Sequence, residues 1–156
     1  MRSDTVPAMF LIALLLQAVS TLGAAGIAWY RILVQLPLLR TVDRRRRGRY
    51  LLPMETLEQF LVAPLLLLET LSTLAVLFAL PGTLPMLNPL AGFALLAFLW
   101  VLQLTVARPR LHALVSGFSA RHMRALLCAV RLQACAWTLR AALVLMLILR
   151  VMQALQ

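Results

Sequence analysis

The chain has 156 residues, of which 63% are hydrophobic and 13% are charged, whereas soluble domains average about half apolar and a quarter charged. This composition excludes an ordinary soluble domain and predicts an all-α integral membrane protein, because helices satisfy their own backbone hydrogen bonds in lipid. The net charge of +10 lies mostly between the apolar segments, where membrane orientation explains it, so nucleic acid is not an expected partner.

Four apolar stretches are long enough to cross the hydrocarbon core, which takes about 20 residues. They cover residues 8–30, 60–80, 90–107 and 126–149. Since almost nothing remains for a soluble domain, we predict one domain over residues 1–156. Its expected architecture is a bundle of four antiparallel transmembrane helices joined by short connections.

The charges of the connections predict the orientation of the bundle. The first connection, "RTVDRRRRGRY", and the third, "ARPRLHALVSGFSARHMR", are rich in Arg, and the second, "PGTLPMLNP", has no charge. The positive-inside rule then places both termini on the non-cytoplasmic side of a bacterial inner membrane. A run of four arginines should lie on the anionic inner leaflet, and it is also a candidate contact for an acidic partner: Arg44, Arg45, Arg46 and Arg47.

Glu69 lies in the middle of the leucine-rich run "LLLLETLSTL", where a charge costs roughly 3 kcal/mol or more. Arg140 lies near the middle of the fourth span, and the second and fourth helices run in the same direction in this orientation. We therefore predict that Glu69 and Arg140 form a structural ion pair inside the bundle. Helical phase adds a supporting polar core, in which Arg31 is expected to pair with Glu58: Gln17, Ser20, Arg31, Glu58 and Gln133.

Arg131 is nine residues from Arg140 and therefore points to the other side of the fourth helix. It either extends to the inner headgroups or contacts a neighbouring subunit. Cys128 and Cys135 are about 10 Å apart along a helix, too far for a disulfide. We expect both to be small apolar fillers.

His112 and His122 lie in the third connection, and either imidazole is a candidate interfacial ligand for a metal, haem or chlorin. A solvated interfacial histidine is the simpler interpretation. No metal site is predicted, because no second ligand lies in suitable spacing. No catalytic residue is predicted either, since Glu58 and Glu69 are about 16 Å apart along one helix and cannot act on the same substrate atom.

Four segments resemble a widespread group of uncharacterised bacterial four-helix membrane proteins, similar to the DUF1772 or anthrone-oxygenase-like group. They are "WYRILVQLPLLRTV", "YLLPMETLEQFLVAPLLLLETLSTL", "LWVLQLTVARPRLHALVSGF" and "RLQACAWTLRAALVL". The likeness depends on ten residues: Trp29, Pro37, Tyr50, Pro64, Glu69, Gly117, Phe118, Trp137, Thr138 and Arg140. Because the two central charges are among them, the resemblance implies a four-helix fold with a shared core pair.

The same resemblance implies two histidines at places where this chain has Gln35 and Met54. It also implies an Asn-Trp pair with an Arg at the start of the last helix, where this chain has Val130, Arg131 and Gln133. If a histidine-containing site is the active centre of that group, this chain has lost it. The resemblance therefore implies the fold and lowers the expectation of enzymatic activity.

These observations favour a non-catalytic accessory or scaffolding subunit of a larger bacterial membrane complex of photosynthetic or respiratory type. One alternative is a small oxygenase-like membrane enzyme that acts on a hydrophobic or quinone-like substrate near Glu69, Tyr50, Trp137 and Arg140. A weaker alternative is proton or ion transport through Glu69. No intrinsic cofactor is predicted, and lipid, quinone or pigment at the helix surface is the expected class of ligand.

Overall fold

A computed structural model describes residues 8–41, 47–79, 86–107, 109 and 120–154, and the side chains of these residues except those within 39–56 and at 58, 107, 120 and 154. All regular structure in these ranges is helical. Helix α1 (Ala8–Tyr30) continues through a π-helical segment (Arg31–Gln35) into α2 (Leu36–Thr41). Helix α3 spans Arg47–Phe78, α4 (Leu87–Leu102) continues as a second π-helical segment (Gln103–Ala107), and α5 spans Ala120–Ala154.

Within the described ranges, four helical stretches are long and apolar enough to cross a membrane, as the sequence predicts. They cover Ala8–Leu38, Gln59–Phe78, Leu87–Val106 and Arg121–Gln153. The first and last stretches are longer than the hydropathy of the sequence predicts, because each helix continues past the end of its apolar run.

Both π-helical segments end two residues before a proline, at Pro37 and at Pro109. Proline has no N–H to give to the carbonyl four residues earlier, and its ring crowds that carbonyl. In the first segment the N–H of Leu36 instead donates to the carbonyl of Arg31, five residues back. This wider turn lets the helix continue as far as Thr41 rather than stop at the proline.

The helices form a bundle in which α1 and α4 each pack against both α3 and α5. Helices α3 and α5 therefore lie across one diagonal, and α1 and α4 lie across the other. One apolar cluster closes one end of the interior around Phe10, Val76 and Leu147. A second cluster, rich in alanine and including Leu96 and Trp137, fills a level further along. Small residues at such contacts let helix backbones approach closely in a membrane.

Two tryptophans connect neighbouring helices through threonine hydroxyls. Nε1 of Trp29 donates to Oγ1 of Thr138 at 3.0 Å, and Nε1 of Trp100 donates to Oγ1 of Thr70 at 3.2 Å. Each threonine donates its own proton to the carbonyl four residues earlier, at 2.8 Å and 2.7 Å respectively. The hydroxyls are therefore satisfied without water, as an apolar environment requires.

Candidate functional site

The polar centre of the bundle is an ion pair between α3 and α5. The side chains of Glu69 and Arg140 are both 0% exposed. Nε of Arg140 donates to Oε1 of Glu69 at 2.6 Å, and Nη2 lies 2.6 Å from the same oxygen. Because α3 and α5 are diagonal to each other, the pair crosses the middle of the bundle, between the two apolar clusters.

Helix α1 supplies two further donors to the carboxylate. Oγ1 of Thr21 donates to Oε1 of Glu69 at 2.7 Å, and the hydroxyl of Ser20 donates to Oε2. Both side chains are fully buried. Hydrogen bonds to an ionised acceptor are about twice as strong as neutral ones, so α1 adds to the stabilisation of the negative charge. Ser20 binds the carboxylate oxygen other than the one that Arg140 contacts.

Helix α4 contacts the guanidinium group through its backbone. Nη1 of Arg140 donates to the carbonyl of Gly92, and Nη2 donates to Oγ1 of Thr73 on α3. A Cβ atom at position 92 would lie 3.1 Å from Nη1, tighter than an ordinary van der Waals contact. Glycine is therefore what lets α4 come close enough to accept this hydrogen bond.

Thr73 connects the ion pair to Gln17. Its hydroxyl donates to the backbone carbonyl of Glu69 at 2.6 Å, and it accepts from Nε2 of Gln17 at 3.2 Å and from Arg140. All four spanning helices thus contribute to one polar cluster. A lone charge in hydrocarbon costs roughly 3 kcal/mol or more, and this cluster offsets part of that cost for both charges at once.

The cluster lies nearer to the end of the bundle where α3 ends and α4 begins. Gly92 is five residues after Leu87, the first residue of α4, which corresponds to about 7.5 Å of helix. Glu69 is nine residues before Phe78, the last residue of α3, or about 13.5 Å. The helices extend further in the other direction, and the shortest route from the polar cluster to the end of the bundle is therefore through Asn88 and the start of α4.

The predicted supporting core is only partly within the described side chains. Gln17, Ser20 and Gln133 are buried, and Nε2 of Gln133 donates to Oε1 of Gln103 at 2.6 Å. Arg31 is half-buried, and it makes contacts of its own. The side chain of Glu58 lies outside the described ones, so its pairing with Arg31 stays a prediction.

A cleft of about 40 Å³ lies on the side of the ion pair that faces away from the start of α4. Its polar residues are Arg31, Gln103 and Gln133, and Trp100 and Trp137 contribute to its walls. Both π-helical segments begin at this level, with Arg31 and Gln103 as their first residues. The cleft therefore coincides with the two places where a helix departs from regular α geometry.

The outward face of α5 carries Arg131, which is exposed. Cys128 and Cys135 are free thiols, and both are exposed. They lie three residues before and four residues after Arg131 and so share its face. Alanines fill the interior face of α5 instead, including Ala134 at 0% exposure, and a thiol is apolar enough to face lipid.

The remaining predicted contacts fall at the end of the bundle that the structure describes least. Arg44, Arg45, Arg46 and His112 lie outside the described residues, as does the side chain of Arg47. His122 is half-buried, and its Nδ1 has no hydrogen-bond partner in the described part of the chain. Among the described residues, no three His, Cys, Asp or Glu side chains gather as metal ligands would.

Comparison of the chain with protein-family models, with curated proteins and with solved structures finds no match. The resemblance to the anthrone-oxygenase-like group therefore stays a prediction. Sequence reasoning missed two residues of the polar cluster. Thr21 adjoins Ser20 and was detectable from helical phase, whereas Gly92 contributes only its carbonyl and gives no such signal.

Removal of one member of the ion pair should be far more damaging than removal of both. We expect Arg140→Leu to lower the free energy of unfolding by about 3–5 kcal/mol, because it leaves a buried carboxylate unpaired. The double variant Glu69→Gln with Arg140→Leu should recover most of that loss. Unfolding in mixed micelles by a denaturing detergent measures both values. Equal losses in the single and double variants would mean that the two charges act independently.

The close approach of α4 gives a second test. Gly92→Ala should lower the free energy of unfolding by about 1–3 kcal/mol, since the new methyl group crowds Nη1 of Arg140. In the Glu69→Gln, Arg140→Leu background the same change should have little effect. Gly26→Ala is the matched control, because a Cβ there meets nothing within 4 Å. A loss that persists in the double-variant background would contradict this explanation.

Proposed function

We propose that this chain is a non-catalytic accessory or scaffolding subunit of a larger bacterial membrane complex, of photosynthetic or respiratory type. In this role the interior of the bundle maintains the fold, and the outer surface of the helices binds the partner. Lipid, quinone or pigment at that surface is the expected class of bound molecule.

The interior supports this proposal because its charges bind each other. The cavities beside the ion pair measure about 10 Å³ and about 40 Å³, whereas ligand sites are typically about 300–1,000 Å³. Within the described part of the chain, Glu69 and Arg140 have hydrogen-bond partners on every side. The oxygenase-like alternative needs room for a substrate at this pair, and transport needs a continuous hydrated path through Glu69. Both alternatives therefore receive less support.

The observation that carries the proposal is a groove of about 640 Å³ on the outer surface between α1 and α3. Gly23, Gly26 and Ile27 line it along α1, and Tyr30 lies further along the same helix. A Cβ at Gly26 would meet nothing within 4 Å, so the backbone of α1 is uncovered there. Small residues that expose a helix backbone are what a second transmembrane helix packs against. We therefore propose a helix of the partner complex as the occupant.

The orientation is part of the same proposal. The helices are proposed to run antiparallel, with both termini on the non-cytoplasmic side. The support is the Arg content of the first and third connections and the absence of charge from "PGTLPMLNP", together with the tendency of basic connections to remain in the cytoplasm. Alkaline phosphatase fused after Gln156 should be active in cells, whereas a fusion after Asp43 should be inactive. If a reporter that fluoresces only in the cytoplasm is fused after Gln156 and gives a signal, the proposed orientation is wrong.

The groove gives a direct test of the subunit role. After isolation from its native membrane in mild detergent, the chain should migrate with a larger complex. Gly26→Leu should release it, because a Cβ at this position meets no other atom of the chain within 4 Å and the rest of the side chain would occupy the groove. Ala97→Leu enlarges an exposed alanine on α4 and should leave the complex intact. Wild-type protein that migrates as a lone small species would count against the proposal.

A further inference from the structure

A small cavity lies beside the ion pair, on the side facing the start of α4. Its volume is about 10 Å³, close to the ~10–15 Å³ that one water molecule needs. Its polar lining consists of Gln17, Thr73, Asn88 and Gly92. The rest of the wall is apolar, so the polar groups define where a bound molecule could make hydrogen bonds.

Two of these side chains have an unsatisfied atom. Oε1 of Gln17 and Nδ2 of Asn88 are buried and have no hydrogen-bond partner among the described residues. The Gln17 side chain is only 4% exposed. One atom is an acceptor and the other is a donor, and both belong to residues that line the same cavity. A buried polar atom without a partner lowers the stability of a fold.

The neighbouring hydroxyl cannot satisfy Gln17. Thr73 donates its only proton to the carbonyl of Glu69 at 2.6 Å, and both of its acceptor positions receive hydrogen bonds, from Gln17 and from Arg140. Rotating the Gln17 amide by 180° would place its oxygen against a hydroxyl that has no proton to give. The amide orientation is therefore fixed, and its oxygen remains directed away from Thr73.

We propose that one ordered water molecule occupies this cavity, where it accepts a hydrogen bond from Nδ2 of Asn88 and donates one to Oε1 of Gln17. Gly92 also lines the cavity, but its carbonyl already accepts from Arg140 and, because it lies inside α4, from the N–H four residues later. The water therefore makes two hydrogen bonds, within the range of about 2–4 that buried waters make to groups that would otherwise be unsatisfied.

This water completes the arrangement of the bundle. Glu69 and Arg140 connect α3 to α5 across one diagonal, and the water connects Gln17 on α1 to Asn88 on α4 across the other. It also hydrates the polar cluster from the end of the bundle that is nearest to it. Asn88 is partly exposed, so the site is close to the surface from which the water enters.

The wild-type chain provides the direct test. A crystal or cryo-electron-microscopy map that resolves ordered waters should show one density peak within hydrogen-bond distance of both Gln17 and Asn88. An empty cavity would overturn the proposal. A direct hydrogen bond between the two side chains would overturn it as well.

A double-mutant cycle supplies an independent measurement. Gln17→Met and Asn88→Leu remove the two polar groups at nearly constant volume, and each should lower the folding equilibrium constant about tenfold or more. The double variant should lose less than the product of the two losses, by a factor of about five. Gln17→Met combined with Thr70→Val is the control, and its losses should multiply. Independent losses for Gln17 and Asn88 would mean that no water couples them.

Discussion

The need to neutralise a charge in hydrocarbon is the constraint on which this structure depends. Glu69 and Arg140 are 0% exposed and belong to helices that lie across a diagonal of the bundle. Buried ion pairs rarely stabilise a fold more than apolar side chains of similar volume would. Their effect here is on register. A shift of α3 against α5 by one turn, about 5.4 Å, would leave both charges unpaired. The pair therefore fixes the position of α3 along α5.

Three threonines of α3 and α5 share one arrangement, in which the hydroxyl donates its proton within its own helix and accepts from another helix. Thr70, Thr73 and Thr138 each donate to the carbonyl four residues earlier. Their acceptors are then available to indole, amide or guanidinium groups from neighbouring helices. In water such contacts would compete with solvent, whereas in lipid they are the main polar means of holding apolar helices together.

The positions of the cavities and of the outer groove relate the fold to the proposed role. Interior volume is small where the charged groups lie, and the widest described groove is on the outside, along α1 and α3. The exposed backbone at Gly26 and the outward-facing Arg131 place the features that could bind another molecule on the surface.

The sequence by itself determined the number of spans, through hydropathy, and the ion pair could be inferred from two charges at similar depth because hydrocarbon tolerates neither alone. Helical phase also predicted that Gln17 and Gln133 face the interior. Only the tertiary structure decided which apolar positions are buried: Phe10 is interior and Met9 is exposed. Lipid is as apolar as the core, so hydrophobicity does not distinguish the two environments. The carbonyl of Gly92 was likewise beyond prediction, because a backbone acceptor leaves no trace in the identity of a side chain and is positioned solely by the packing of α4 against α5.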